Sequence, residues 1–478
     1  MSFNSIHFLI FLPVVLLVYW ILPRRGQNIF LLLASYYFLC IIHPWFGGLI
    51  ALVTTVNYCC GLAISRWPGR KKMFLVLALV LSLGELAYFK YASFFLENIS
   101  ILLKAMSIPF SLPVLTIMLP VGISFYTFQA IAYSVDVYRG DMEPCLNPID
   151  FALFISFFPQ LVAGPIERSG HLLPQIHRRR KVTPELIQQG LLLLVWGFFK
   201  KLVIADNTGL IAFKVFSLAD PGFYLLWSGV FAFGIQILAD FWSYTDIARG
   251  SALLLGFKLS RNFDHPYFAR SPADFWRRWH MTLSYWLRDY VYIPLGGSRV
   301  HSSLRRGANI MITFLLSGFW HGASWNYILW GGYHGILVLL DRVLRKLLSP
   351  VRNLLPGQLH LPILASKILL TFVLVNIGWL MFRVTDVQAL FQYFQLTPWS
   401  STAQDTRIAR YLFSLTLLYA MPIFLHGLLY FWDKYKYGPQ KDYADIFLLL
   451  RPVLAAILLT GILTLRSPEP STFIYFQF

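Results

Sequence analysis

The residue best placed for proton transfer is His321, in the stretch Ser317-Gly318-Phe319-Trp320-His321-Gly322-Ala323-Ser324-Trp325. It closes a run, Ile310 to Leu316, that is apolar apart from Thr313, so its imidazole is expected deep in the protein. Desolvation disfavours the imidazolium, and a ring kept neutral near pH 7 can take a proton from a hydroxyl. Gly318 and Gly322 would let a substrate or another helix come close. The plainer alternative is a structural histidine that donates a hydrogen bond to a carbonyl of the next helix. Ser317 lies one helical turn earlier on the same face, where a Ser–His nucleophile pair is conceivable, but a bond from the serine to its own helix carbonyl is the favoured reading. No cysteine lies near His321 in the sequence, which argues against a covalent thioester there. His334, in Trp330-Gly331-Gly332-Tyr333-His334-Gly335, reads as a helix-packing or hydrogen-bonding residue.

A second concentration of chemistry runs from Asp240 to Arg299. It contains Asp240-Phe-Trp242-Ser243-Tyr244-Thr245-Asp246, Arg249, Asn262-Phe263-Asp264-His265-Pro266-Tyr267, Asp274-Phe275-Trp276-Arg277-Arg278-Trp279-His280, and Trp286-Leu287-Arg288-Asp289-Tyr290 with Pro294-Leu295-Gly296-Gly297. An ionisable group costs about 2.5–3.5 kcal/mol at the centre of a lipid-embedded helix, so such groups face protein or a wet cavity. The segment should therefore line an internal polar site or lie at the cytoplasmic interface. Arg277 and Arg278 suit phosphate oxygens, as in a coenzyme A moiety, because guanidinium binds them bidentately. A lipid headgroup meets the same chemistry, and Arg–Asp pairs holding an interfacial loop would use the same residues. Asp289 can orient a histidine or pair with Arg288. Metal chemistry is not indicated: the eleven histidines show no H-E-x-x-H or H-x-x-H spacing. No G-x-x-x-x-G-K-[ST] or G-x-S-x-G element is present either.

The elements that must position these residues are hydrophobic. The 478 residues are 57% hydrophobic, 17% aromatic and only 13% charged, with a mean hydropathy of +0.60. A soluble chain of this length would need more polar surface, whereas lipid solvates apolar side chains directly. Candidate spans lie near 6–22, 28–43, 46–65, 73–90, 113–137, 185–204, 223–239, 308–320, 325–341, 362–383, 411–431 and 449–465. The stretches 150–166 and 281–296 are short and broken by proline, and read as re-entrant or interfacial pieces. The run from Ile6 to Leu22 is followed by Pro23-Arg24-Arg25 rather than a small-residue cleavage site, and reads as a retained first span. The net charge of +18 is carried by short basic runs between spans: Arg24-Arg25, Arg70-Lys71-Lys72, Arg178-Arg179-Arg180-Lys181, Arg305-Arg306 and Arg342 with Arg345-Lys346. These read as cytoplasmic loops beside anionic lipid and place the N-terminus outside. No basic stretch forms a soluble nucleic-acid module. Cys40, Cys59, Cys60 and Cys145 lack any C-x-x-C spacing and read as small buried hydrophobes.

The motif blocks resemble the signatures of the membrane-bound O-acyltransferases, most closely those of the bacterial alginate O-acetylation membrane subunits and their peptidoglycan and exopolysaccharide relatives. The resemblance is carried by the blocks at 262–267, 274–280, 287–297 and 318–325. The opening Met1-Ser-Phe-Asn-Ser, Phe157-Phe158-Pro159-Gln160-Leu161-Val162-Ala163-Gly164-Pro165-Ile166, Trp379 to Arg383, and the ending Phe473 to Phe478 add to it. It implies an all-α polytopic membrane protein, with about 11–13 transmembrane helices plus re-entrant or interfacial helices around a central funnel or tunnel. One domain is implied over 1–478, with N-terminal spans over 1–145, a motif-bearing core over 146–345 and C-terminal spans over 346–478. By motif match His321 is the catalytic histidine and His280 a second one. Arg277, Arg278, Arg288 and Asp289, the water-excluding Trp279, Trp320 and Trp325, and Asp240 with Tyr244 then form the surrounding substrate site. The resemblance further implies no bound cofactor, acetyl-CoA as co-substrate, a bacterial cytoplasmic membrane location, and a periplasmic acetylesterase-like or transferase partner acting on an exopolysaccharide or cell-wall glycan. Relatives often carry Asp-Phe-Ser-Gly-Tyr-Ser-Asp where this chain has Trp242 and Ser243 in the block 240–246, so helix packing there should differ. A polysaccharide or lipid-linked sugar flippase, a D-alanyl transfer protein of the same wider family and a partner-docking scaffold are the competing readings.

Overall fold

The computed structural model describes residues 1–108, 113, 117–162, 164–352, 360–437, 444–469, 471, 473 and 474. Ala163 and Tyr475 to Phe478, both in stretches that carried the resemblance, lie outside these. Among the described residues the secondary structure is helical, with no strand. The chain groups into two compact units, Met1–Leu191 with Ile247–Ser260, and Leu192–Asp246 with Arg261–Phe478.

The first unit contains α1 (Ile6–Ile21), α2 (Arg24–Cys40), α3 (Phe46–Arg66), α4 (Lys71–Leu86), a π turn at Ala87–Tyr91, α5 (Ala92–Ala105), α6 (Ile123–Arg139), α7 (Pro148–Ser156), α8 (Phe158–Leu161) and α9 (Ser169–His177). Local sequence sets several of these ends. The Ser5 hydroxyl accepts from the Phe8 N–H to start α1, Asn147 caps α7 ahead of Pro148, and Gly140, at φ +80°, ends α6. The stretch 150–166 folds into the two short helices α7 and α8 rather than a full span.

Three of the four residues in the basic run 178–181 are exposed, but Arg180 turns inward. Its Nε donates to Tyr19 Oη at 2.8 Å, Nη1 to the Ile176 carbonyl at 2.9 Å and Nη2 to Gln27 Oε1 at 3.1 Å. Tyr19 Oη in turn donates to the Leu255 carbonyl at 2.9 Å. One member of a run expected at the lipid surface is thus a buried fastener, its charge spread over three acceptors.

The second unit begins within α10 (Pro184–Phe199), which passes through a π turn at Lys200–Ala205 into α11 (Asp206–Phe216). It continues with α12 (Phe223–Leu254), α13 (Pro272–Trp276), α14 (Met281–Leu287) with a π turn at Arg288–Tyr292, α15 (Ser303–His321), α16 (Trp325–Arg352), α17 (His360–Arg383), α18 (Val387–Gln395), α19 (Ala403–Tyr437) and α20 (Ala444–Leu465). Six described helical stretches are long and apolar enough to cross a bilayer: Phe46–Arg66, Pro68–Ala105, Pro184–Phe216, Phe223–Leu254, Leu361–Arg383 and Ala403–Trp432. The protein is an all-α polytopic membrane protein.

The helix expected to end near residue 239 instead runs unbroken to Leu254. It can do so because its carboxylates are neutralised in place. Lys200 Nζ lies 2.6 Å from Asp246 Oδ2, and Lys201 Nζ lies 2.8 Å from Asp240 Oδ1 and 2.9 Å from Asp206 Oδ1. All five side chains are buried, a placement tolerated only when charges are paired.

Candidate active site

The loop between α12 and α15 is shaped by short-range rules. Ser271 accepts from the Asp274 N–H at 3.2 Å and Pro272 opens α13, a standard helix start. The backbone then doubles back: Asp264 N donates to Arg278 O at 3.0 Å and Met281 N donates to Asn262 O at 2.9 Å. Asn262 Oδ1 also accepts from Thr282 Oγ1 at 2.6 Å. Held between these bonds, His280 adopts φ +41°, and His265 adopts φ +48°. The left-handed region costs a non-glycine residue energy that surrounding bonds must offset, and such positions cluster at functional sites. Both histidines are buried. Burial pushes the His280 imidazole down to about 3, which keeps it neutral at pH 7.

His321 is the last residue of α15, 4% exposed. The close approach of α15 and α16 sets its position. A Cβ on Gly318 would stand 2.1 Å from the Tyr327 carbonyl oxygen, and one on Gly331 would stand 2.3 Å from that of Phe314. Gly322 lies against the Tyr327 ring, 2.2 Å from where its Cβ would be. Of the two possibilities open for these glycines, a neighbouring helix fills the space at Gly318. Around His321 stand Trp320 and Trp330, each with its ring centroid at 5.0 Å, and Phe382 at 5.5 Å. Trp320 also faces His280, at 6.0 Å, so the two candidate histidines share one indole contact. Asn326 Nδ2 donates to the carbonyls of Met381 and Phe382 at the end of α17, holding that end beside the site. Trp279 packs on Trp379 at 4.8 Å, and Trp379 on Trp330 at 6.1 Å, completing an aromatic wall.

The charged residues expected around this centre are distributed differently. Arg277 is exposed and contacts Asp274 at 3.2 Å. Arg278 is largely buried, with Nε 3.2 Å from Asp274 and Nη1 3.5 Å from Asp264. Burial alone would raise the Asp274 carboxyl, but the Arg270 N–H and the Arg278 and Arg277 charges outweigh it and hold it below its usual range. Arg278 therefore acts first as a clamp on its own loop. Arg288 is exposed, with Nε donating to Asp289 Oδ1 at 2.7 Å, so Asp289 pairs with Arg288. Trp325 is 53% exposed and stands outside the aromatic wall.

Asp240 and Tyr244 belong to the Lys201 cluster. Asp240 Oδ2 accepts from the Ile474 N–H at 2.7 Å, and the Tyr244 ring stacks on Phe473 at 3.9 Å. Between them Phe241 reaches His280, at 4.7 Å between centroids. Trp242, the residue that departs from the usual motif, lies under Lys200 Nζ at 4.4 Å and edge-on to His265 at 5.3 Å.

Sequence reasoning missed Lys200, Lys201 and Asp206, and also His426, whose Nδ1 is 3.2 Å from His265 Nε2. The first three carried a signal: two adjacent lysines and an aspartate inside the apolar run Trp196 to Ile211, where an ionisable group demands a partner. Phe382 lies in a stretch that carries the resemblance and Trp330 in the block with His334, but sequence singles out neither as a neighbour of His321.

Residues 143–385, which contain His280, His321 and the aromatic residues packed around His321, match the membrane-bound O-acyltransferase family. The chain is 35% identical to the probable alginate O-acetylase of Azotobacter vinelandii, covering 100% of both chains. It is 41% identical to that of Pseudomonas aeruginosa over 83% of this chain and 74% of the other. Identity to the peptidoglycan O-acetyltransferase of Helicobacter pylori is 33%, over 98% and 95%. With a buried histidine at the end of a helix, the motif loop folded beside it and likeness running from end to end, this chain belongs to the membrane-bound O-acyltransferase family.

Proposed function

We propose that this protein moves an acetyl group from acetyl-CoA on the cytoplasmic side of a bacterial inner membrane to hydroxyls of an extracytoplasmic polysaccharide, directly or through a periplasmic acetyltransferase- or esterase-like partner. His321 is the general base. It takes the proton of the acceptor hydroxyl as that oxygen bonds to the thioester carbonyl carbon. The tetrahedral intermediate then expels the coenzyme thiolate, which takes the proton from the imidazolium. His280, kept neutral by burial, supports His321 through the shared Trp320 contact. Arg277 and Arg288 offer their exposed guanidinium edges to the coenzyme phosphates. The exposed basic runs after α1 and α3 support a cytoplasmic placement of those loops, with the N-terminus outside.

The observation that carries this reading is the burial of His321 within an aromatic shell, inside the segment that matches the family. Exclusion of water is what an activated thioester needs to avoid hydrolysis. The acceptor class comes from relatives named for alginate and peptidoglycan O-acetylation. The test is label transfer from radiolabelled acetyl-CoA to oligosaccharides of each type by the purified protein, with its partner supplied. Transfer should vanish in His321→Ala while the thermal midpoint holds. Glycan flux without acetyl consumption would identify a transporter, and preference for a D-alanyl thioester would move the chain to the other acyl branch.

A further inference from the structure

His334 is fully buried, and neither ring nitrogen has a hydrogen-bond partner among the described residues. Two indole N–H groups beside it are in the same state, Trp276 Nε1 and Trp330 Nε1. The three rings form a triangle, with centroids 5.1 Å apart for Trp276 and His334, 5.0 Å for Trp330 and His334, and 5.6 Å for Trp276 and Trp330. Burying one such group without a partner costs on the order of 1–3 kcal/mol, and three in one place call for a shared acceptor.

The chemistry of the set narrows what that acceptor is. An indole N–H only donates. His334 Nε2 is packed against the backbone of α17, 2.6 Å from where a Cβ on Gly378 would stand. A proton there would be wasted on a Cα–H, so the favoured tautomer carries it on Nδ1. With Nδ1 protonated, each of the three neighbouring rings carries an N–H with no hydrogen-bond acceptor among the described residues. A single water molecule fits this poorly, since it has two lone pairs for three donors. A carbonyl oxygen developing negative charge fits it well, because each donor strengthens as the charge grows. The Trp330 ring also lies 5.0 Å from His321, so the cluster meets the proposed base through that ring.

We propose that Trp276, Trp330 and His334 form an oxyanion-binding site for the carbonyl oxygen of the acyl donor. This rests on the reading of that donor as an acyl thioester. When the acceptor oxygen bonds to the carbonyl carbon, the carbonyl π pair moves onto oxygen, and the three N–H groups hold that charge until the thiolate leaves. Gly378 is then a glycine so that α17 can press His334 into the tautomer that donates.

The test compares two unreactive coenzyme A analogues as inhibitors of the full-length protein. One is a ketone, with a methylene in place of sulfur and the carbonyl kept. The other is S-ethyl-CoA, which lacks the carbonyl. The wild type should bind the ketone about tenfold more tightly, and Trp276→Phe and His334→Phe should each bring the ratio close to one without changing S-ethyl-CoA binding. Their kcat should fall about 10²-fold, as for loss of one oxyanion donor, with KM within about threefold. His334→Asn, whose Nδ2 can stand near the position of Nδ1, should restore the ketone preference. An unchanged ratio in both phenylalanine variants, accompanied by a lower thermal midpoint, would assign the cluster to a buried structural water and overturn the proposal. If the wild type bound neither analogue, the donor reading itself would fall, and this site with it.

Discussion

The second unit buries two polar clusters built on opposite principles. Around Lys200 and Lys201, three carboxylates meet two ammonium groups at 2.6–2.9 Å. The Lys201 ammonium gains a further acceptor in the Ser471 carbonyl at 3.0 Å. Around His321 the neighbours are Trp320, Trp330 and Phe382. In the first cluster charge is neutralised by charge, and an incoming ligand would have to break a pair. In the second, weakly polar rings pack around a buried imidazole. A charge created there during a reaction would change the local energy most. Ionic density therefore marks where the fold is fastened, and the imidazole-rich aromatic pocket is where the proposed function sites its chemistry.

This contrast breaks most cleanly at His321. His321→Ala should lower acetyl transfer by about 10³-fold, within the range for loss of a general base, and leave the thermal midpoint within a few degrees. Lys201→Met should do the reverse. It leaves Asp240 and Asp206 facing each other without their cation, a loss of about 3–5 kcal/mol for a broken buried pair, read as loss of folded protein on size-exclusion chromatography. Adding Asp240→Leu to Lys201→Met should recover part of the folded yield. If Lys201→Met folded normally and lost only turnover, the two clusters would have to exchange roles.

The pH dependence sharpens the contrast further. An unfolded chain protonates His280 below about 6.5, while in the folded protein burial holds its pKa near 3. Between those values the unfolded state binds the extra proton, so stability falls as pH falls, by up to about 1.4 kcal/mol per pH unit. His280→Phe should make the decline of thermal midpoint between pH 6.5 and 4 shallower by about one proton. An unchanged slope would place His280 in contact with solvent.

The residues of the second cluster were more legible in the sequence than those of the first. His321 and His280 stand in contiguous motifs whose unusual density of Trp, Arg and His sets them apart, and the family match covers them. The Lys201 cluster joins residues 201, 206, 240 and 471, and nothing local says which helix faces which. For the same reason the sequence reading ends the span begun at 223 at residue 239, just before Asp240. A carboxylate looks like a boundary until its lysine is known. Arg180 repeats the lesson in the first unit, since its acceptors at Tyr19 and Gln27 are more than 150 residues away. The positions of Trp330 and Phe382 follow from the glycine-tight pairing of α15 with α16 and from the Asn326 link to α17, both tertiary facts.

The smallest expected effect tests whether exposed arginines take part at all. Arg277 and Arg288 have side chains 60% and 54% exposed, and each is partly occupied by a neighbouring aspartate. An exposed ion pair contributes about 0–1 kcal/mol, so neither is needed for the fold. If their open edges receive the coenzyme phosphates, Arg277→Ala and Arg288→Ala should each raise the KM for acetyl-CoA about three- to tenfold. Their kcat should not change, the pattern of an interaction made equally in ground and transition states. Raising salt from 50 to 300 mM should shrink the difference from wild type, since the attraction is screened. Arg278→Ala serves as the internal contrast. That guanidinium is 13% exposed and bridges Asp264 to Asp274, so its loss should loosen the loop that sets His280 and lower kcat. A KM effect at Arg278 without one at Arg277 or Arg288 would mean that the phosphates are gripped inside the loop, not at its surface.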